Sequence, residues 1–115
     1  RDEGPDENKI AKISKLKPAF QSDGTVTAAN SSSISDGAAS LILMSNEHAE
    51  QQGIKPLARI VAQASHAQEP EWFTTAPVEA IRKVLEKAGW KPHDVDLYEI
   101  NEAFAVVAMA AIKEL

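Results

Sequence analysis

Hydrophobic positions along this chain fall into five runs separated by polar segments, and the period changes from run to run. Ala38 to Ser45 is short, almost wholly apolar and bounded by polar residues. That pattern predicts a strand buried on both faces, as in a parallel sheet, with a buried helical turn as the alternative. Leu57 to Ala64 and Val95 to Ile100 predict two more strands. Between the last two, Val78, Ile81, Leu85 and Ala88 recur at three- and four-residue steps, which predicts a helix over 77–88. Pro77 suits its first turn and Gly89 its end. The fifth run, Glu102 to Leu115, predicts a final helix with Ala103, Val106, Val107, Ala110 and Leu115 among its inner positions.

The polar segments carry the punctuation. Residues 1–17 predict loop or linker with a helical turn at Lys9 to Leu16, ended by Lys17-Pro18. Ser22-Asp23-Gly24 signals a turn, and Thr25 to Ala29 is β-prone. Asn30 to Gly37 is rich in small polar side chains. It is either structureless or a compact turn whose hydroxyls and amides cap the next element. Ser45 or Asn46 can cap a short polar helix that Gly53 stops. Residues 65–75 predict a loop carrying Trp72 and Phe73. The order strand, helix, strand, helix, strand, helix is that of an α/β fold. Apolar strands of this kind need cover on both faces, so the fold is expected to be incomplete in this chain.

Composition narrows the chemistry. The 115 residues set a limit of one domain, and 43% hydrophobic content is ordinary for a folded chain. Net charge is -5 and pI about 5.1, which provides no basic field for nucleic acid. No apolar run approaches the length that spans a bilayer, and no signal peptide is visible at a start that is not Met. The absence of cysteine excludes disulfides and a cysteine nucleophile within these residues. His48, His66 and His93 lack ligand spacing, so no metal site is expected.

Asn101-Glu102 sits where the third predicted strand hands over to the last helix. The carboxyl ends of strands gather sites in α/β folds. A carboxamide there either caps the helix or holds a donor over a reacting carbonyl. Residues alone leave both open.

Two stretches resemble one family. They are KLKPAFQSDGTVTAANSSSISDGAASLILMS, residues 15–45, and AGWKPHDVDLYEINEAFA, residues 88–105, with KPLARIV between them. Both are similar to the thiolases, most closely the acetyl-CoA acetyltransferase type. The resemblance implies a layered α/β fold with mixed sheets covered by helices. It divides the chain into the end of a loop domain (1–31), the last part of the N-terminal half (32–54) and the start of the C-terminal half (55–115). It implies condensation or cleavage of acyl-CoA thioesters through an acyl-cysteine intermediate. Acetyl-CoA, acetoacetyl-CoA and CoA would be the partners, with no separate cofactor because the coenzyme A thioester is substrate.

On this resemblance Asn101 matches the asparagine that anchors an oxyanion-hole water, with Glu102 in support through orientation or the helix dipole. Ser32 matches the serine that holds the pantetheine arm, and Ala28 the backbone contacts to it. Phe20 and Phe104 match the tunnel lining, and Phe73 the apolar residue over the acyl pocket. Each has a plainer role as turn, cap or core residue. The family's nucleophilic cysteine, its Gly-His-Pro histidine and its acid/base cysteine have no counterpart here. The isolated chain is therefore expected to be inactive, within an oligomeric parent (dimer or tetramer) that is cytoplasmic, or mitochondrial or peroxisomal in a eukaryote. The alternatives are a 3-ketoacyl-CoA thiolase of fatty-acid β-oxidation and a non-catalytic CoA-binding or oligomerisation module.

Overall fold

Four helices carry the regular structure of residues 6–115, which the computed structural model describes. They are α1 (Glu7–Ile10), α2 (Asn46–Gln51), α3 (Ala76–Ala88) and α4 (Ala105–Glu114). Short 3-10 turns occupy Ile13–Lys15, Pro70–Thr75 and Pro92–Asp94. The helical turn expected over 9–16 is thus two pieces, and part of the opening loop expected over 1–17, residues 1–5, lies outside the described residues. Residues 65–75, expected as loop, end in a 3-10 turn.

Local signals fix the helix ends. The Ser45 side chain accepts from the His48 N–H at 3.1 Å and starts α2. Gly53, at φ 64, closes it: its N–H reaches the Glu50 carbonyl and that of Ile54 the Ala49 carbonyl. Gly89, at φ 71, closes α3 in the same way, with the N–H of Trp90 donating to the Leu85 carbonyl. The left-handed conformation is strained for any residue with a Cβ, which is why glycine serves at both ends.

The core is small. Val78 and Leu85 of α3 and Val107 and Ala111 of α4 are buried, as is Ala49 of α2. Of the two valines expected inside α4, Val107 is buried and Val106 is 47% exposed. The guanidinium of Arg82 bridges the pair at the far end, donating to the Glu114 backbone carbonyl at 2.8 Å and to Glu79 at 2.6 Å.

Among the described residues the predicted strands form no ladder; the one β-bridge is antiparallel, Ser31 to Phe104. Ala38 to Ser45, expected to be buried on both faces, is exposed along its length, with Leu41 at 81% and Ile42 at 86%. Ala28 and Ala29, expected in a β-prone run, lie in a turn closed by the Asn30 N–H on the Thr27 carbonyl at 3.2 Å. The second run keeps a trace of its pattern. Ala62, Ala64, His66 and Gln68 are half-buried while the residues between them are exposed. That period of two is the one a strand would show with one face covered. Lys87 of α3 donates to the Gln63 carbonyl at 2.9 Å from the covering side.

A sheet strand gains its backbone hydrogen bonds only from neighbours. Without them the chain stays open. Its radius of gyration is 18.8 Å, against about 13 Å for a compact chain of this length. Its surface is 10521 Å², against about 6,100 Å² for a compact protein of this mass.

Candidate functional site

The site grows from the loop that precedes the exposed apolar run. The Asn30 carboxamide organises it, accepting from the Thr27 N–H at 2.7 Å and donating to the Thr25 carbonyl at 3.0 Å. The Ser31 hydroxyl donates to the Thr27 carbonyl at 2.7 Å, and the Thr27 hydroxyl accepts from the Ala29 N–H at 3.2 Å. Upstream, the Ala19 N–H donates to the Val26 carbonyl at 2.8 Å and ties the segment bearing Phe20 to the same loop. Small polar side chains thus satisfy the backbone of residues 25–31 in place of a sheet, whereas none of these bonds caps the next element, Ala38 to Ser45, as the compact-turn reading expected.

This loop clasps the start of α4, more than seventy residues later in the chain. The Ser32 N–H and hydroxyl both donate to the Ala103 carbonyl, at 3.0 and 3.2 Å. The Asn30 carbonyl accepts from the Ala105 N–H at 2.9 Å. The first amide of α4 therefore finds its partner in a distant backbone. Helix α4 begins at Ala105 rather than Glu102, and Phe104 occupies its N-cap position with no side-chain cap. Asn101 is not the cap: both Asn101 and Glu102 precede the helix and are exposed. Glu102 likewise lies outside the first turn, where a helix dipole acts most strongly.

Three aromatic rings meet beside this clasp. Phe104 stands between Phe20 and Phe73, with centroids 6.2 Å from each and interplanar angles of 77° and 61°. Both are edge-to-face contacts, each worth about 1 kcal/mol beyond area burial. Phe20 is 75% and Phe73 50% exposed, so the cluster keeps open ring surface. The structure thus gathers Phe20, Ser32, Phe73 and Phe104, with Ala28 exposed on the organising turn and Asn101-Glu102 just before the clasp. Asn30 was missed as a site builder. Its signal was the small-polar run itself, but its partner is set by tertiary folding.

Two negatives bound the chemistry. Among the described residues no three His, Cys, Asp or Glu side chains come close enough to hold a metal ion. A cleft of 580 Å³ between α3 and α4 is lined by Val78, Arg82, Val106 and Met109 and contains none of the predicted site residues.

Comparison with known proteins identifies what this arrangement belongs to. Residues 1–47 match the thiolase N-terminal domain and residues 54–115 the thiolase C-terminal domain. The chain belongs to the thiolase family. Helix α2 with its Gly53 stop therefore lies at the junction of the two thiolase halves. A probable acetyl-CoA acetyltransferase of Dictyostelium discoideum is 54% identical over 114 residues, 99% of this chain and 28% of that protein. The crystal structure of the Bacillus anthracis acetyl-CoA acetyltransferase superposes with a TM-score of 0.92 at 49% identity, covering 99% of this chain and 29% of that one. The Acat5 thiolase of Ascaris suum, solved in complex with coenzyme A, gives a TM-score of 0.88 at 44% identity, covering 91% and 28%.

This thiolase segment therefore spans less than a third of the length of its relatives, and its fold is a partial thiolase fold. Its open shape and unladdered apolar runs belong to a layered architecture of which it holds one part.

Proposed function

We propose that this segment supplies the pantetheine-arm contacts and one oxyanion-hole donor to an acetyl-CoA acetyltransferase. The parent reaction joins two acetyl-CoA molecules into acetoacetyl-CoA and releases one CoA, or runs in reverse, by way of an acyl-cysteine. The nucleophile and the proton-transfer groups come from outside these residues. The carrying observation is the clasp. One set of backbone bonds fixes Ser32 against Ala103, two residues from Asn101 and beside the ring of Phe104.

In this arrangement the Ser32 hydroxyl spends its single proton on the Ala103 carbonyl, and its lone pairs remain free to accept. It is therefore an acceptor for an amide N–H of the pantetheine arm. The open edges of Phe20 and Phe104 offer an apolar wall for the arm's methylenes. Release of Asn101 from any capping duty leaves its carboxamide free to donate to a water at the thioester oxygen. No separate cofactor is needed, since coenzyme A arrives as substrate.

The test is thiolytic cleavage of acetoacetyl-CoA by CoA, followed by loss of the enolate absorbance. The full-length protein should turn over and the isolated 115 residues should not. In the full-length protein, Asn101→Ala should lower kcat by about a hundredfold or more, the usual cost of an oxyanion donor. Ser32→Ala should raise KM about fivefold, the worth of one hydrogen bond. Turnover by the isolated chain, or an Asn101→Ala variant with full kcat, refutes the reading.

A further inference from the structure

A polar chain that no part of this site uses runs from α3 to the turn that bears Phe73. The Lys83 ammonium lies 3.0 Å from His66 Nδ1, and His66 Nε2 lies 3.1 Å from Gln68 Oε1. The Gln68 amide nitrogen then reaches the Thr75 hydroxyl at 2.7 Å and also the Trp72 carbonyl. The Thr75 hydroxyl donates to that same Trp72 carbonyl at 3.0 Å.

The chemistry of the partners sets every direction along this chain. An ammonium can only donate, so His66 Nδ1 accepts and Nε2 carries the proton. Nε2–H then points at an acceptor, which puts the Gln68 oxygen toward His66 and its amide nitrogen toward the turn. One amide hydrogen goes to the Trp72 carbonyl and the other to Thr75, whose own proton goes to Trp72. Every donor meets an acceptor.

The endpoint is specific. Trp72, at φ -106 and ψ 15, is the one residue of the Pro70–Thr75 turn that leaves helical geometry. Its carbonyl belongs to the peptide plane that leads into Phe73, so whatever holds that oxygen sets the direction in which the Phe73 side chain leaves the backbone. That side chain meets Phe104 edge-to-face at 6.2 Å.

We infer that Gln68 is a positioning residue: oriented by His66 and Lys83, it pins the Trp72 carbonyl and so presents Phe73 to Phe104 as a fixed wall of the acyl site. This rests on the proposed function for the identity of the acyl site, though not for the placement of the turn. A pinned wall shortens the space available to the acyl chain, and a loose one admits longer chains.

The test uses the full-length protein and two readouts. The first is the ratio of kcat/KM for a six-carbon 3-ketoacyl-CoA to that for acetoacetyl-CoA. Gln68→Met keeps the side-chain length and removes all three bonds, and should raise the ratio about fivefold, a fraction of what a missing methylene in a pocket wall can do. Phe73→Ala should move it in the same direction. Thr75→Val should follow Gln68→Met, and Thr75→Ser, which keeps the hydroxyl, should stay within about twofold of the parent. The second readout is amide exchange in the peptide covering residues 69–75, expected to quicken about tenfold in Gln68→Met. An unchanged ratio in Gln68→Met and Thr75→Val alongside a shifted one in Phe73→Ala overturns the inference, as does unchanged exchange. If Gln68→Met fails to fold, the Thr75→Val and Thr75→Ser pair carries the same comparison. A parent with no thiolytic activity overturns the proposed function, and amide exchange then decides the placement of the turn by itself.

Discussion

Helices α3 and α4 and the two apolar runs on either side of α2, Ala38 to Ser45 and Leu57 to Ala64, are all rich in hydrophobic residues, and the structure treats them in opposite ways. The helices bury Val78, Leu85, Val107 and Ala111 against each other. The two runs leave Leu41, Ile42, Leu43, Leu57 and Ile60 each more than 70% exposed. Backbone bonding explains the difference. A helix satisfies its own amides and carbonyls, so two helices need only one shared apolar face. A strand satisfies nothing alone, and its side chains are covered only once a sheet and its layers exist. A segment spanning 28% of a relative's length can hold a helix pair intact but not a layered sheet.

The largest effect expected is on the side that is packed. Leu85→Ala removes a buried side chain from the α3–α4 face and should cost about 3 kcal/mol, within the range for leucine truncations in cores. With so few buried residues, that should abolish the cooperative part of the helix melt seen by circular dichroism. A melt unchanged by Leu85→Ala would mean that these helices are held by something other than their contact.

Smaller, and local to one helix, is the loss of the Ser45 cap. Ser45→Ala leaves the His48 N–H without its side-chain acceptor and should cost about 1 kcal/mol. Amide exchange at His48 reads it directly. Because α2 stands at the junction of the thiolase halves, exchange in α3 should stay unchanged, and a coupled change there would join the two regions that the comparison separates.

These responses track what was legible in the residues. Ser45, Gly53, Pro77 and Gly89 act within a turn of where they sit, and the helix read over 77–88 is found at Ala76–Ala88. The start of α4 was misread because its partner is remote. Nothing near Asn101 in sequence announces that the Asn30 carbonyl will take the Ala105 N–H. Likewise Val95 to Ile100 was read as a strand, but pairing is a property of neighbours, and the described residues offer it none. The aromatic contacts of Phe104 with Phe20 and Phe73 join positions that only the family resemblance had linked. The Gln68 relay gave no sign in the sequence, since its members spread over eighteen positions, from His66 to Lys83, of a segment read as loop and helix.

A weaker effect still belongs to the amino-terminal turn. The Asn8 N–H, donating to Asp6 at 3.0 Å, holds that carboxyl below the usual carboxylate range, with the Asn8 amide and Lys9 adding to it. A depressed pKa favours the ionised form in the folded turn. The cap is therefore fully present above the ordinary aspartate pKa and fades as pH falls through the depressed value. The Asn8 amide shift in an NMR titration should follow Asp6 with a midpoint below that of an unstructured aspartate. The resonances of α3 should not move over that step.

The smallest effect expected in this chain is also the sharpest test of the contrast. Ile42 is 86% exposed, and placing a carboxylate there breaks no contact in the structure. Ile42→Asp should thus change the helix melt of the 115 residues by no more than about 0.5 kcal/mol, the ordinary scatter of surface substitutions. The same change in the full-length thiolase puts a charge into a run whose pattern is that of a strand buried on both faces. An unpaired buried charge costs several kcal/mol, enough to exhaust the margin of an ordinary domain. Soluble yield and the thermal midpoint of the two chains, measured side by side, read the difference. If Ile42→Asp is silent in both, the run is surface in the full-length protein as well, and its exposure here owes nothing to missing neighbours. If it is silent in the segment and ruinous in the parent, the apolar run is a strand waiting for its sheet, and the helix pair is the part of this thiolase segment that holds its structure without one.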